Sequence, residues 1–376
     1  MSDLVERVRL RLANGSGDLT SAAVAEAVRG EAGGVLGDED VQRALAVLRQ
    51  EFVGAGLLEP LLRDPDTTDV LVTAPDQVWV DGVGGLRRTG ICFPDEPAVR
   101  RLAQRLSAVA GRRLDDAAPY VDGWLPGAVR LHAVLPPIAP STCLSLRVLR
   151  PAAHDLAALQ ACGTFDGPTA ELLRAIVRAR QAFLVVGGTG SGKTTLLAAL
   201  LGCVPHHERV VCVEDAGELR PDHPQVVRLL ARGPNVEGAG EVTLRDLVRQ
   251  ALRMRPDRIV VGEVRGAEVC ELLSALNTGH DGGAGTLHAN SPAEVPARLE
   301  ALAASGGLDR AALHSQLAAA VKVVLHVRRA ADGTRHLAEV GVLGHRDGRP
   351  AVVPAWRRDI GWQEAGGELK SLVGWT

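Results

Sequence analysis

FLVVGGTGSGKTTLLAALLG, residues 183–202, sets an apolar run, a glycine-rich turn and a helical apolar pattern end to end. Phe183 to Val186 reads as a short buried strand, and Thr194 to Leu201 is rich in good helix formers. The glycines therefore occupy a strand-to-helix turn. Gly187, Gly192, Lys193 and Thr194 fit G-x-x-x-x-G-K-[ST], where positions without side chains let successive backbone N–H groups curl around phosphate oxygens at a helix N-terminus. The expected nucleotide cradle is Gly188, Thr189, Gly190, Ser191, Gly192, Lys193, Thr194 and Thr195. Lys193 would reach the β- and γ-phosphates, and Thr194 would offer its hydroxyl to Mg²⁺. A dinucleotide fingerprint beginning at Gly188 and Gly190 needs a third glycine at 193, which is lysine, so that reading fails.

Composition sharpens the assignment. Lysine and arginine together number 42, yet Lys193, Lys322 and Lys370 are the only lysines. A compact ammonium suits a phosphate loop in a way a broad guanidinium fork does not. The 376 residues allow two or three domains, and 46% apolar residues indicate a globular chain. A formal charge of −3 and 3% aromatics give neither a basic groove nor a stacking platform, so nucleic acid is not the expected partner. No secretory leader or membrane-spanning run is evident, and a cytoplasmic protein is expected. Cys92, Cys143, Cys162, Cys203, Cys212 and Cys270 lack C-x-x-C spacing, and the His206-His207 pair has no second cluster, so neither a disulfide framework nor a zinc site follows.

The expected organisation is a helical segment over residues 1–58, an α+β domain over 59–150 and a P-loop domain over 151–376. In the first, Val41, Leu45, Leu48 and Phe52 share a helical face behind an Asp38 cap, ended by Gly54 and Gly56. In the second, strands are predicted near Val70–Val72, Val78–Val80, Ile91–Phe93 and Cys143–Leu149, with a helix around Ala98–Ala110. Pro151 to Phe165 reads as a linker. Beyond it strands and helices alternate to about 330, as in a parallel sheet with crossover helices, and short strands and turns follow.

Hydrolysis needs more than a phosphate loop: a metal ligand, a group that orients water, and positive charge at the transition state. The strand Arg209 to Val213 ends on Glu214 and Asp215, either of which could polarise water. A second strand, Arg258 to Val261, delivers Glu263, expected to hold Mg²⁺ through water. NTGHDGGAGTLHAN, residues 277–290, places His280 and His288 around a glycine-rich turn, expected together at one strand end, where they could sense the γ-phosphate or pass its state to a neighbour. No N-K-x-D guanine reader is present, so ATP is the expected nucleotide.

These segments, in this order, resemble the type II and type IV secretion traffic ATPases, with closest similarity to the TadA/CpaF branch that drives tight-adherence pilus assembly. GGTGSGKTT resembles the family's Walker A, VEDAGEL its Asp box, LRMRPDRIVVGEVRG its Walker B region and TGHDGGAGTLHAN its His box. GLLEPLLRDPDTTDVLV, LPGAVRLHAVLPPIAP and LSLRVLRP resemble its N-terminal domain. The likeness spans roughly residues 55 to 345. It implies an α/β fold with a RecA-like ATPase domain behind a smaller N-terminal α+β domain, assembled as a homo-hexamer peripheral to inner-membrane platform proteins. It further implies Glu214 as the water-activating residue, Glu263 as the Walker B acid, His288 near the γ-phosphate, and Arg130, Arg147 and Arg253 as arginines supplied from the N-terminal domain or a neighbouring subunit. The zinc-binding cysteines of the general secretion pathway members are absent, which points away from that branch, and the alanine and glycine within VEDAGEL leave Glu218 without an assigned role. A DNA translocase or conjugation motor, and a nucleotide-dependent scaffold without turnover, are the alternative readings.

Overall fold

The computed structural model describes residues 54–82, 84–149, 155–234 and 238–375, together with positions 8, 26–28, 30 and 31. The Asp38 cap and the face formed by Val41, Leu45, Leu48 and Phe52 lie outside these residues. The chain divides into two compact units, Met1–Arg150 and Pro151–Thr376.

Short alternating segments dominate the first unit. After a one-turn helix, α1 (Glu59–Arg63), come β1 (Thr67–Ala74), β2 (Gln77–Gly82), β3 (Arg87–Arg88), α2 (Glu96–Val109), β4 (Tyr120–Leu125), β5 (Val129–Val134) and β6 (Cys143–Val148). The strands form one antiparallel sheet in the order β3-β2-β1-β6-β5-β4. Val70 and Val72 of β1 and Val129, Leu131 and Ala133 of β5 point inward at period two, the spacing of a half-buried strand. They pack against Val99, Leu102, Ala103 and Leu106 of α2, whose N-terminus is capped by the Asp95 carboxylate accepting from the Ala98 N–H at 2.7 Å. Two expectations are corrected. Ile91–Phe93 forms no strand: the Ile91 N–H donates to Thr89 Oγ1 and the Phe93 N–H to the Pro75 carbonyl, so no ladder develops before Pro94. The β4–β5 hairpin was not foreseen, because Asp122, Arg130 and His132 interrupt the apolar residues that alternate inward.

The second unit continues through α3 (Leu156–Ala161), α4 (Gly167–Arg178), β7 (Phe183–Gly187), α5 (Lys193–Leu201), β8 (Val210–Glu214), β9 (Val226–Leu230), α6 (Leu244–Ala251), β10 (Arg258–Val264), α7 (Glu268–Leu276), β11 (Ala284–His288), α8 (Val295–Ser305), α9 (Arg310–Ala320), β12 (Val323–Arg329), β13 (Arg335–Arg346), β14 (Arg349–Arg357), β15 (Gly361–Trp362) and α10 (Gly366–Val373). Its nine strands run β15-β14-β13-β12-β7-β11-β10-β8-β9. From β12 to β9 neighbours are parallel, and β13 to β15 extend the sheet antiparallel.

Both faces of the parallel part are covered, which is why its strands read as continuous apolar runs. Phe183, Val185, Cys212 and Val260 face one core, shared with α3, α4, α5 and α10. Leu184, Val186, Val213 and Val261 face the other, with α6, α7, α8 and α9. The segment expected as a linker therefore carries structure: Asp155 caps α3, and Leu156 and Leu159 join the first core. The C-terminal strands β13 and β14 are long, not short.

One ion cluster pins the edge of this sheet where the parallel strands begin. Arg258, 1% exposed, donates through Nε to Glu208 at 2.8 Å, and Arg180 reaches the same carboxylate at 2.8 Å. Burial works against ionisation of Glu208, but the Arg258 hydrogen bond and charge overcome it and hold the carboxyl below its ordinary value.

Candidate active site

Parallel strands end at a common edge, and side chains at their C-terminal ends are delivered to one place. Here β7, β11, β10 and β8 are consecutive neighbours. His288 is in register with Gly187, Leu287 with both Val186 and Val264, and Val213 with Val261. The phosphate loop, His288, Glu263 and Glu214 therefore share one edge.

The loop between β7 and α5 is shaped by its glycines. A Cβ at Gly187 would lie 2.3 Å from the Val327 carbonyl oxygen and 2.6 Å from Ser191 Oγ. Gly192, the N-cap of α5, adopts φ 96°, a left-handed conformation that favours glycine. Ser191 Oγ donates to the Gly188 carbonyl at 2.9 Å and closes the loop on itself. Lys193 Nζ donates to the carbonyls of Gly187 and Gly188, each at 3.0 Å. Burial lowers the Lys193 ammonium from its ordinary pKa, and the Glu263 charge works the other way. A half-buried cation held by two carbonyls of its own loop is poised for an anion placed in that loop.

Next to the loop lies a pocket lined by Thr194, Glu214, Asp215, Glu218, Glu263 and Arg265. Glu214 is 3% exposed, its Oε1 accepts from the Leu219 N–H at 2.8 Å, and its Oε2 is buried without a hydrogen-bond partner among the described residues. Burial pushes its carboxyl up to about 7, against the backbone hydrogen bonds from Leu219 and Glu218. A carboxylate with that pKa and an unused oxygen can take a proton from a water near neutral pH. Gly262 makes room for it: a Cβ there would lie 2.7 Å from Glu214 Cγ. Thr286 Oγ1 fixes this neighbour by donating to the Gly262 carbonyl at 2.7 Å.

Thr194 and Glu263 give one hydroxyl and one carboxylate on the same pocket wall. That pair fits Mg²⁺, which keeps several waters and takes its other ligands from substrate phosphates. Glu263 is paired with Arg265, whose guanidinium also lies 3.7 Å from Asp215. Arg265 and Gly262 were not singled out in the sequence, although both stand within VGEVRG beside Glu263.

Other expected residues fall elsewhere. His280 precedes β11 and its Nδ1 lies 3.2 Å from the Ala275 carbonyl, while His288 ends that strand. The two histidines thus sit at opposite ends of β11, because the glycine-rich turn precedes the strand. Arg253 is exposed between α6 and β10, its Nη1 donating to the Arg249 carbonyl at 3.3 Å. That is the edge where β10 starts, opposite the phosphate loop. In the first unit, Arg130 and Arg147 face each other in register across β5 and β6. Arg130 is also held by Asp122 through two hydrogen bonds of 2.9 and 2.8 Å.

The family model described as type II/IV secretion system protein matches residues 51–351. The chain belongs to this secretion family. Among its relatives, a Mycobacterium tuberculosis protein whose name refers to conjugal transfer is 66% identical over 346 residues, covering 90% of this chain and 98% of the relative. The type IV secretion system protein PtlH of Bordetella pertussis is 33% identical over 324 residues, covering 78% of this chain and 94% of its own. The pilus retraction motor PilT with bound ADP shares the fold at a TM-score of 0.54 and 22% identity, over 77% of this chain and 83% of that one. That motor and this chain thus have the same α/β architecture. Among the described residues no helix is long and apolar enough to cross a membrane.

Proposed function

We propose that this chain is the ATP-hydrolysing subunit of a homo-hexameric motor that powers pilus assembly or protein secretion, peripheral to an inner-membrane platform on the cytoplasmic side. The observation that carries this reading is the shared sheet edge: phosphate loop, buried carboxylate, second carboxylate and histidine converge from four adjacent strands. Lys193 leaves the Gly187 and Gly188 carbonyls for the β- and γ-phosphates. Glu214 orients and deprotonates the attacking water through its unused Oε2. Thr194 and Glu263 would hold Mg²⁺, which when bound would neutralise charge developing on the transferred phosphoryl group. His288, beside Gly187, senses the terminal phosphate.

Arg130 and Arg147 belong to the first unit and Arg253 to the far edge of the second. Their proposed role is to supply positive charge to a nucleotide site, from the N-terminal domain (residues 59–150) or from a neighbouring subunit. An arginine finger contributes about three to five orders of magnitude to phosphoryl transfer. Hydrolysis then depends on assembly. Doping Lys193→Ala subunits into wild-type protein at concentrations where sizing shows a ring tests it: activity falls by more than dilution. Activity strictly proportional to the wild-type fraction would refute coupled sites.

The name of the 66% identical relative supports a second reading, a motor for conjugal transfer. The net charge of −3 and 3% aromatics disfavour direct contact with DNA, since phosphate neutralisation supplies most non-specific affinity. Filter binding of single- and double-stranded DNA at low salt separates the two: retention of DNA would favour the translocase.

A further inference from the structure

The hairpin that joins β12 to β13 lies against the phosphate loop. Arg335 Nε donates to the Gly190 carbonyl at 2.9 Å, across 145 residues of chain. Its Cδ lies 3.3 Å from where a Cβ on Gly192 would stand. Arg329 pairs in register with Arg335, and directly opposed residues of an antiparallel pair project from the same face. Accordingly Arg329 Nη1 lies 3.9 Å from the Cβ position of Gly190. The turn between them is closed tightly: the Ala330 N–H donates to the Thr334 carbonyl at 2.8 Å, and Asp332 Oδ1 accepts from the Thr334 N–H and hydroxyl at 2.9 and 2.7 Å. Asp332, the acid within this turn, is thus engaged by Thr334. Both arginines are exposed, and neither makes an ion pair among the described residues.

Two guanidiniums beside a phosphate loop, without an acidic partner, are placed for an anionic ligand. A guanidinium that gives one N–H to Gly190 keeps its other donors for that ligand. The order of strands says which end of the ligand they meet. Glu214 and Glu263 come from β8 and β10, on one side of β7, whereas β12 and β13 lie on the other. A nucleotide whose terminal phosphate faces Thr194, Glu214 and Glu263 turns its α-phosphate and ribose toward the hairpin.

We propose that Arg329 and Arg335 form a clamp, supplied by the same subunit as the phosphate loop, that grips the α-phosphate and ribose of the bound nucleotide. This rests on the phosphate loop being the nucleotide site. Calorimetric titration of the full-length chain with Mg-ATP, Mg-ADP and Mg-pyrophosphate tests it, in wild type, Arg329→Gln, Arg335→Gln and the double variant. Pyrophosphate offers Lys193 and Thr194 two phosphates but carries no nucleoside phosphate ester. Loss of a charge-assisted hydrogen bond should weaken ATP and ADP equally, by about tenfold or more for each variant. Pyrophosphate affinity should hold within about threefold, since only screened long-range charge is lost.

Three results would overturn the clamp. Pyrophosphate weakening in step with the nucleotides would make the arginines supports of loop shape alone. ATP weakening about tenfold more than ADP would move them to the terminal phosphate, the opposite end from the one inferred. Unchanged affinities would leave them idle. A wild-type protein that binds neither ATP nor pyrophosphate would remove the nucleotide-site reading itself, a result that the wild-type titration alone reveals. Arg335→Lys, which keeps the charge but not the fork, should recover part of the affinity, and unchanged melting of every variant excludes misfolding as the cause.

Discussion

Replacing Glu214 by glutamine should make the protein more stable, and increasingly so as pH rises. The carboxyl is 3% exposed, and burial lifts it from 4.5 to about 7. Because one pKa unit corresponds to about 1.36 kcal/mol, ionising it in the folded state costs about 3 kcal/mol. The sign follows from the raised pKa. Below about pH 4.5 the group is neutral in folded and unfolded chains and costs nothing; between 4.5 and about 7 the folded chain binds more protons than the unfolded one, so wild-type stability falls as pH rises. Glutamine keeps the acceptor for the Leu219 N–H and carries no charge. Between pH 5 and pH 8 the variant should therefore gain about 2 kcal/mol on wild type. Urea unfolding of both proteins across this range, followed through the same cooperative transition, measures the difference. A stability difference that does not change with pH would refute the placement of a buried, high-pKa carboxyl at this position.

Three further outcomes follow from named contacts. Glu208→Ala leaves Arg258 buried without its carboxylate and should cost about 3–5 kcal/mol, read by chemical denaturation; a cost near zero would mean that the cluster is solvated. Gly262→Ala drives a methyl into Glu214 Cγ and should cost about 1–3 kcal/mol by overpacking and depress ATP turnover, whereas wild-type turnover would show that Glu214 can shift freely. The pH–rate profile of ATP hydrolysis should rise with pH through about 7, where the Glu214 carboxyl becomes a base. A profile flat from pH 5.5 to 8.5 would assign the water-activating role elsewhere.

Legibility in the sequence followed the range of the interactions. The phosphate loop is local: glycines where a Cβ would collide, a lysine one residue beyond the helix cap, and a buried strand before it all lie within one stretch. The ends of β8 and β10 were legible for a related reason, since strands buried on both faces read as apolar runs that stop abruptly at Glu214 and Glu263. Half-buried strands were harder. In β4 and β5 the inward residues alternate with Asp122, Arg130 and His132, and the pattern fell below what an apolar run reveals. His280 and His288 looked like one cluster because only seven residues of glycine-rich chain separate them, but the glycines form the turn before β11 and the strand then carries His288 away. Arg335 offered no local signal. Its contact with Gly190 depends on β12 lying beside β7, a parallel pairing set by the whole sheet.

Steady-state phosphate release from the purified protein with Mg-ATP, at concentrations where sizing shows assembly, tests the central claim most directly when wild type and Lys193→Ala are compared. A magnesium-dependent turnover is expected in wild type and its loss in the variant, because the loop loses its point cation. Equal phosphate release from the two proteins, or none from assembled wild type, would contradict it.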